Sequence, residues 1–244
     1  MKLFHAALIL GALALTGCAS MNSPKLLTPL TKVTLFSVVA NDQVYYYGDK
    51  PPEANAVSAL LNTASNDGKA NAVTTTLMEK TDVMLSKAEV GLMAVLGSAW
   101  GTTLTPKETL FASKTYSGTK DEMFTGFVQL KPTGYKFVKL GDAVLSSSLA
   151  KELGVNGLIS ANFLFQKHLT FGVAGNGVME SLTTMTINAY DASGKLVFTN
   201  SYLGKSKDTE AVVGGLYDFG KFQDLTSQAT ADALQKFATD LAAR

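Results

Sequence analysis

Cysteine, histidine and tryptophan are nearly absent: the 244 residues hold one Cys, two His and one Trp. A single cysteine cannot close an internal disulfide, so packing alone must stabilise the folded part of the chain. Zinc centres draw three or four ligands from His, Cys, Asp and Glu. His5 lies in the N-terminal segment, and His168 has no His-x-His or His-x-x-x-His companion, so no metal or other cofactor is expected. A Ser-His-Asp site would have to run through His168, and no Gly-x-Ser-x-Gly elbow accompanies it. The sequence is therefore expected to be non-enzymatic. Charge of one sign is missing as well, with 21 Lys and Arg against 20 Asp and Glu. That balance argues against a nucleic-acid partner, which favours a basic surface. Long apolar runs are also lacking. Ala6–Leu15 is too short for a membrane-spanning helix, which takes about 20 apolar residues. The uncharged stretch Val90–Leu104 is short and interrupted by three glycines. Two readings of it stay open, a buried helix or a helix that touches a membrane or a partner.

What is present begins at the N-terminus. Met1-Lys2 gives a basic start, Ala6–Leu15 an apolar middle, and Thr16-Gly17 small residues just before Cys18. That order is the layout of a secretory signal. Leu15-Thr16-Gly17-Cys18 resembles the lipobox of bacterial lipoproteins. The resemblance implies cleavage after Gly17, with Leu15 and Gly17 read by the peptidase, and acylation of Cys18. Each buried methylene contributes roughly 0.8 kcal/mol, so several acyl chains make a lasting anchor. Ala19, where an aspartate would imply retention at the inner membrane, implies the periplasmic face of the outer membrane. Removing residues 1–17 takes away Lys2 and no acid, which leaves the charges balanced.

Residues 18–30 read as a lipidated tether, with two prolines and little to pack. Residues 31–244 then read as one periplasmic domain carrying an irregular insert at about 41–131. Lys32–Ala40 is apolar on both faces and predicts a strand buried on both sides. Asn41–Pro52 reads as loop, with Tyr45, Tyr46 and Tyr47 inside it. A helix is expected from Glu53 toward Ala64 and a short strand at Val73–Leu77, and Phe124–Leu130 alternates as well. Tyr135–Leu140 alternates and predicts a strand. Asp142 is placed to cap a helix carrying Leu145, Leu149 and Leu153, which Gly154 would stop. Gly157–His168 and Leu182–Asp191 alternate, and Asp191–Gly194 predicts a tight turn into a return strand over Leu196–Leu203. Leu225, Ala229, Ala233, Phe237 and Leu241 recur every four residues, the stripe of a helix lying on a sheet. The expected class is α/β (α+β): a layered sheet with helices packed on it, a C-terminal β-hairpin and a terminal amphipathic helix.

Leu153-Gly154-Val155-Asn156-Gly157-Leu158-Ile159 resembles a helix-to-strand unit of periplasmic lipoproteins related to the curli secretion lipoprotein. Similar units occur in penicillin-binding-protein activator lipoproteins and in the N-terminal domain of TolB. The hairpin from Met185 through Asp191 and Gly194 to Gly204-Lys205-Ser206, and the terminal helix, fit the same pattern. The resemblance spans roughly residues 130–244 and the first strand, and departs between about Asn41 and Lys131. It implies an envelope protein that binds another protein or itself, or an oligomeric secretion component. A secretion component would form large rings in detergent, whereas a tethered binder would run as a monomer or small oligomer.

Few residues offer chemistry. Gly172–Gly177 is glycine-rich, but it lacks the Lys-Ser/Thr pair of a phosphate loop and falls between strands, so it reads as a hairpin tip. Asp121-Glu122, Asp208 and Glu210 read as solvated surface charge. Tyr45, Tyr46 and Tyr47 cannot all face one core. At least one is expected to be exposed, and exposed tyrosines favour recognition surfaces, which makes the three partner-contact candidates.

Overall fold

Lys32–Asn41 is apolar on both faces because it is buried in the middle of a sheet, where all but two of its residues are fully buried. The computed structural model describes residues 30–47, 81–122, 129–173 and 176–243. Within them the strands are β1 (Lys32–Asn41), β2 (Tyr45–Tyr46), β3 (Thr103–Leu104), β4 (Gln129–Leu130), β5 (Gly157–Val173), β6 (Asn176–Asp191), β7 (Leu196–Lys205) and β8 (Glu210–Val212). The helices are α1 (Asp82–Ala99), α2 (Lys107–Ala112), α3 (Lys114–Gly118), α4 (Ala143–Leu153) and α5 (Phe219–Ala242). The sheet runs β3-β1-β5-β6-β7, with β2 beside β5, β4 beside β1 and β8 beside β6. β1 is parallel to β5, and β5, β6 and β7 form an antiparallel meander. The fold is thus α+β, as expected.

Helix α5 starts earlier than its apolar stripe suggests, at Phe219, because the Asp218 side chain accepts from the Lys221 amide. Leu225, Ala229, Ala233, Phe237 and Leu241 are buried in the helix that packs on β6 and β7, and Leu234 is buried toward the helix at Asp82–Ala99, beside Gly91. The approach is close: a Cβ at Gly204 would collide with the carbonyl oxygen of Ala229. Only glycine lets strand and helix backbones meet so tightly. Two residues on, Ser206 fixes the strand end, with Oγ accepting from the Ser181 amide at 3.0 Å and donating to the Asp208 carbonyl at 2.8 Å.

α1 packs beside α5, and the Val90–Leu104 stretch falls largely within it. Met84, Leu85, Ala88, Leu92 and Leu96 are buried at helical spacing, which makes this a core helix. Each large side chain contributes about 2 kcal/mol by leaving water. Val90 points outward and is 66% exposed. The segment read as an irregular insert therefore carries α1, α2 and α3. The helix expected at Glu53–Ala64, the strand at Val73–Leu77 and most of Phe124–Leu130 lie outside the described residues.

Tyr135–Leu140 is a correction: it is irregular, not a strand. Its backbone hydrogen bonds go largely to side chains. The Lys136 amide donates to the Tyr116 hydroxyl at 2.9 Å, and the Phe137 amide to the Asp121 carboxylate at 2.8 Å. Tyr135 and Val138 are buried three residues apart, which an alternating strand would not do. The α4 expectations match the structure. Asp142 accepts from the amides of Val144 and Leu145, Leu149 is fully buried, and Gly154 closes the helix at φ 61°.

Candidate functional site

β5 is the axis of the molecule, and its two ends differ. At the base, the helix-to-strand motif holds the start of β1. The Asn156 side-chain oxygen accepts from the amides of Thr31 and Lys32, both at 3.0 Å. A Cβ on Gly157 would stand 3.0 Å from the Leu30 side chain, so the glycine makes room for the incoming chain. The residues quoted for the family resemblance thus act as a clamp between two strands.

At the middle of β5, Asn41 takes the place of a strand. Its side chain accepts from the Phe165 amide at 2.8 Å and donates to the Phe165 carbonyl at 2.9 Å. This steers the chain so that Tyr45 and Tyr46 add to β5 beside Gln166 and Lys167. The tyrosine run is therefore partly strand rather than wholly loop. The Tyr45 hydroxyl donates to Asp42 at 3.3 Å. Burial, reinforced by the Asp42 charge, pushes that hydroxyl well above its usual pKa. The Tyr46 ring packs on the Lys167 ammonium, 4.8 Å from its centroid, and the Tyr217 ring lies 4.9 Å away on the same group. Lys167 is 3% exposed and donates to the Tyr217 hydroxyl at 3.0 Å. A buried ammonium is tolerated only when paired in this way.

Tyr47 is the exposed member of the run, at 55%. Its ring meets the His168 ring edge-on at 5.4 Å. His168 Nδ1 lies 2.8 Å from Glu180, and Glu180 also faces Lys205 at 3.5 Å. The sheet thus presents an aromatic, a histidine and a paired acid and base side by side. Among the described residues no hydroxyl is hydrogen-bonded to the His168 ring. No group of three His, Cys, Asp or Glu among them could hold a metal. Cys18, Leu15 and Gly17 lie outside the described residues.

Beyond His168, β5 and β6 continue to Val173 and Asn176, further than the alternation predicted. β8 joins β6 there, and a second tight turn follows it. Val213 and Leu216 exchange both backbone hydrogen bonds at 3.0 Å, with Gly214 and Gly215 at positive φ between them. Two-residue hairpins of this kind favour glycine. Phe171, Val213 and Leu216 are 79%, 70% and 73% exposed. Sequence reasoning read the first tip from its glycines but missed β8, whose partner lies more than thirty positions away. No helix among the described residues is long and apolar enough to cross a membrane.

The chain matches no protein-family model and no curated protein. Solved structures to which it is similar include the C-terminal domain of LpoB from Salmonella enterica. The identity is 10%, over 72% of this chain and 84% of that one, at a TM-score of 0.27. The hypothetical protein CT253 from Chlamydia trachomatis aligns at 11% identity over 88% of this chain and 95% of its own, with a TM-score of 0.38. A Caulobacter crescentus CB15 protein described as a candidate lipoprotein aligns at 22% identity over 34% of this chain and 64% of its own, with a TM-score of 0.23.

Proposed function

We propose that this chain is a non-enzymatic envelope lipoprotein, anchored through acylated Cys18 at the periplasmic face of the outer membrane, that works as a protein-binding or assembly factor. The lipobox Leu15–Cys18 supports the anchor. The observation that carries the docking role is the exposed Tyr47 on its frame of His168, Glu180 and Lys205. An amphipathic ring held rigid by its neighbours loses little conformational entropy when a partner covers it. Tethering supports the same reading, because confinement to a thin layer raises the effective concentration toward any partner in that layer.

The test has two readouts. Palmitate labelling should mark the wild-type protein and be absent from Cys18→Ala; unchanged labelling of that variant removes the anchor from the proposal. A photo-crosslinking residue at position 47 should capture a defined envelope protein in intact cells, and one at Val144, on exposed α4, should not. Equal capture from both positions, or from neither, overturns the docking assignment.

A further inference from the structure

Among the described residues β7 ends one side of the sheet, and the outer edge of an end strand is where another chain can pair. The strand carries few of the features that discourage such pairing. Leu196–Lys205 has no proline, and its one charge, Lys205, stands at its end. Its register irregularity lies at the turn end, beside Ala189 and Tyr190. Val197, Phe198, Thr199 and Tyr202 favour extended backbone.

The edge is closed instead by a helix. α5 carries Gln228, Asp232, Lys236 and Asp240 at intervals of four, which puts them in one row along its length. Each meets the outer edge at a different level. The Gln228 side-chain oxygen accepts from the amides of Lys207 and Asp208 at 3.0 and 3.1 Å. Asp232 accepts from the Lys205 amide at 3.0 Å. The Lys236 ammonium donates to the Leu203 carbonyl at 2.7 Å and to Asp232 at 2.9 Å. Asp240 accepts from the Asn200 side chain at 3.3 Å, and the Asn200 side-chain oxygen in turn accepts from the Ser201 amide at 3.0 Å. Gly204 lets the row reach this far, since the helix sits against the strand backbone with no room for a Cβ. Backbone groups of a strand turn to alternate sides, so Ser201, Leu203 and Lys205 present theirs away from β6. An antiparallel partner would bond to both groups of each of these residues, and each has one group already taken. Asp232 and Lys236 neutralise each other, so the row acts by occupying groups rather than by repulsion.

We propose that this row is an autoinhibitory guard: β7 is a strand-addition edge for the β7 of a second copy, and Gln228, Asp232 and Lys236 keep it shut. A second copy is the occupant because a two-fold axis brings identical edges together antiparallel, each completing the other. An axis at Ser201 sets Leu203 opposite Thr199 and Lys205 opposite Val197. The two Lys205 side chains then stand at opposite ends of the paired strands, so the only charge in the strand does not oppose the match. The guard depends neither on the lipid anchor nor on Tyr47.

The test reads the mass of the full chain in detergent by light scattering. The triple variant Gln228→Ala, Asp232→Ala, Lys236→Ala should give about twice the wild-type mass at the same concentration, with an unchanged circular dichroism spectrum. Adding Ser201→Pro should restore the wild-type mass, because proline removes an amide that the paired strands need on the side away from β6. The pair Asp232→Asn and Lys236→Gln keeps an acceptor and a donor without charge, and should stay at the wild-type mass. A natively folded triple variant at the wild-type mass overturns the proposal. So does a doubling that Ser201→Pro leaves in place, or one that the uncharged pair also shows. If the triple variant does not fold, Lys236→Ala alone is read at rising concentration and should climb above the wild type. A mass that follows the wild type throughout overturns the proposal as well.

Discussion

The two ends of β5 are built by different means. At the base, segments far apart in sequence meet, and side chains join them. Asn156 holds residues 31 and 32, and Glu152 accepts from the amides of Lys114 and Thr115 at 2.7 and 3.0 Å. The Tyr116 hydroxyl donates to the Phe36 carbonyl at 2.8 Å. At the far end, two hairpins close on themselves through backbone bonds. A contact between distant segments has no turn to set its register, so it needs specific side-chain donors and acceptors. A local hairpin does not, which leaves its side chains free to face outward.

The comparison can be broken at three levels. Gly204→Val should have the largest effect, because its side chain would meet the backbone of α5 rather than a flexible neighbour. We expect a loss of about 3 kcal/mol or more in urea unfolding, with protection lost at both ends of the sheet. A change of under 1 kcal/mol would mean that α5 shifts freely on β7. Asn156→Ala should cost about 1–2 kcal/mol by stranding two amides, whereas Leu216→Ser should stay within about 0.5 kcal/mol in water. Equal losses would erase the contrast between the ends.

The smallest effect is acid-dependent and sits at the base. Hydrogen bonds from the Thr115 hydroxyl and amide, and from the Lys114 amide, hold the Glu152 carboxyl at a pKa of about 2. The Lys131 ammonium, with the Phe137 amide, likewise holds Asp121 below the usual carboxylate range. A depressed carboxyl contributes its full stability above its unfolded pKa and loses it as pH falls through the folded one. Hydrogen exchange should therefore show the Lys114 and Thr115 amides losing protection between about pH 4.5 and 2. The Val213 and Leu216 amides, whose partners do not ionise, should keep theirs over the same range. Parallel loss at both ends would point to global unfolding instead.

Much of the fold was legible because its signals are local. The four-residue stripe of α5, the Asp142 cap and the Gly154 stop each depend on a few neighbouring residues, and the structure has all three. Tyr135–Leu140 misled for the opposite reason. Its alternation is real, but its amides are taken by Tyr116 and Asp121, which no local pattern reveals. β2 was hidden in the same way, because two residues become a strand only beside Lys167. Crowding alone implies that at least one of Tyr45, Tyr46 and Tyr47 is exposed, but only the structure identifies it as Tyr47. The ammonium held between Tyr46 and Tyr217 could not be picked out, since its three members come from three separate stretches.

The parallel pairing of β1 with β5 also sets a folding order. Val33 pairs with Gly157 across more than a hundred positions, whereas β5, β6 and β7 each pair with their neighbour in sequence. Loop-closure entropy delays distant contacts, so the meander and α5 should assemble first and β1 should insert last. Until then β5 presents an unpaired, apolar edge from Gly157 to Phe163, a template for another chain. The first of the described strands along the chain is thus the one whose late arrival ends the interval in which this protein is most prone to aggregate.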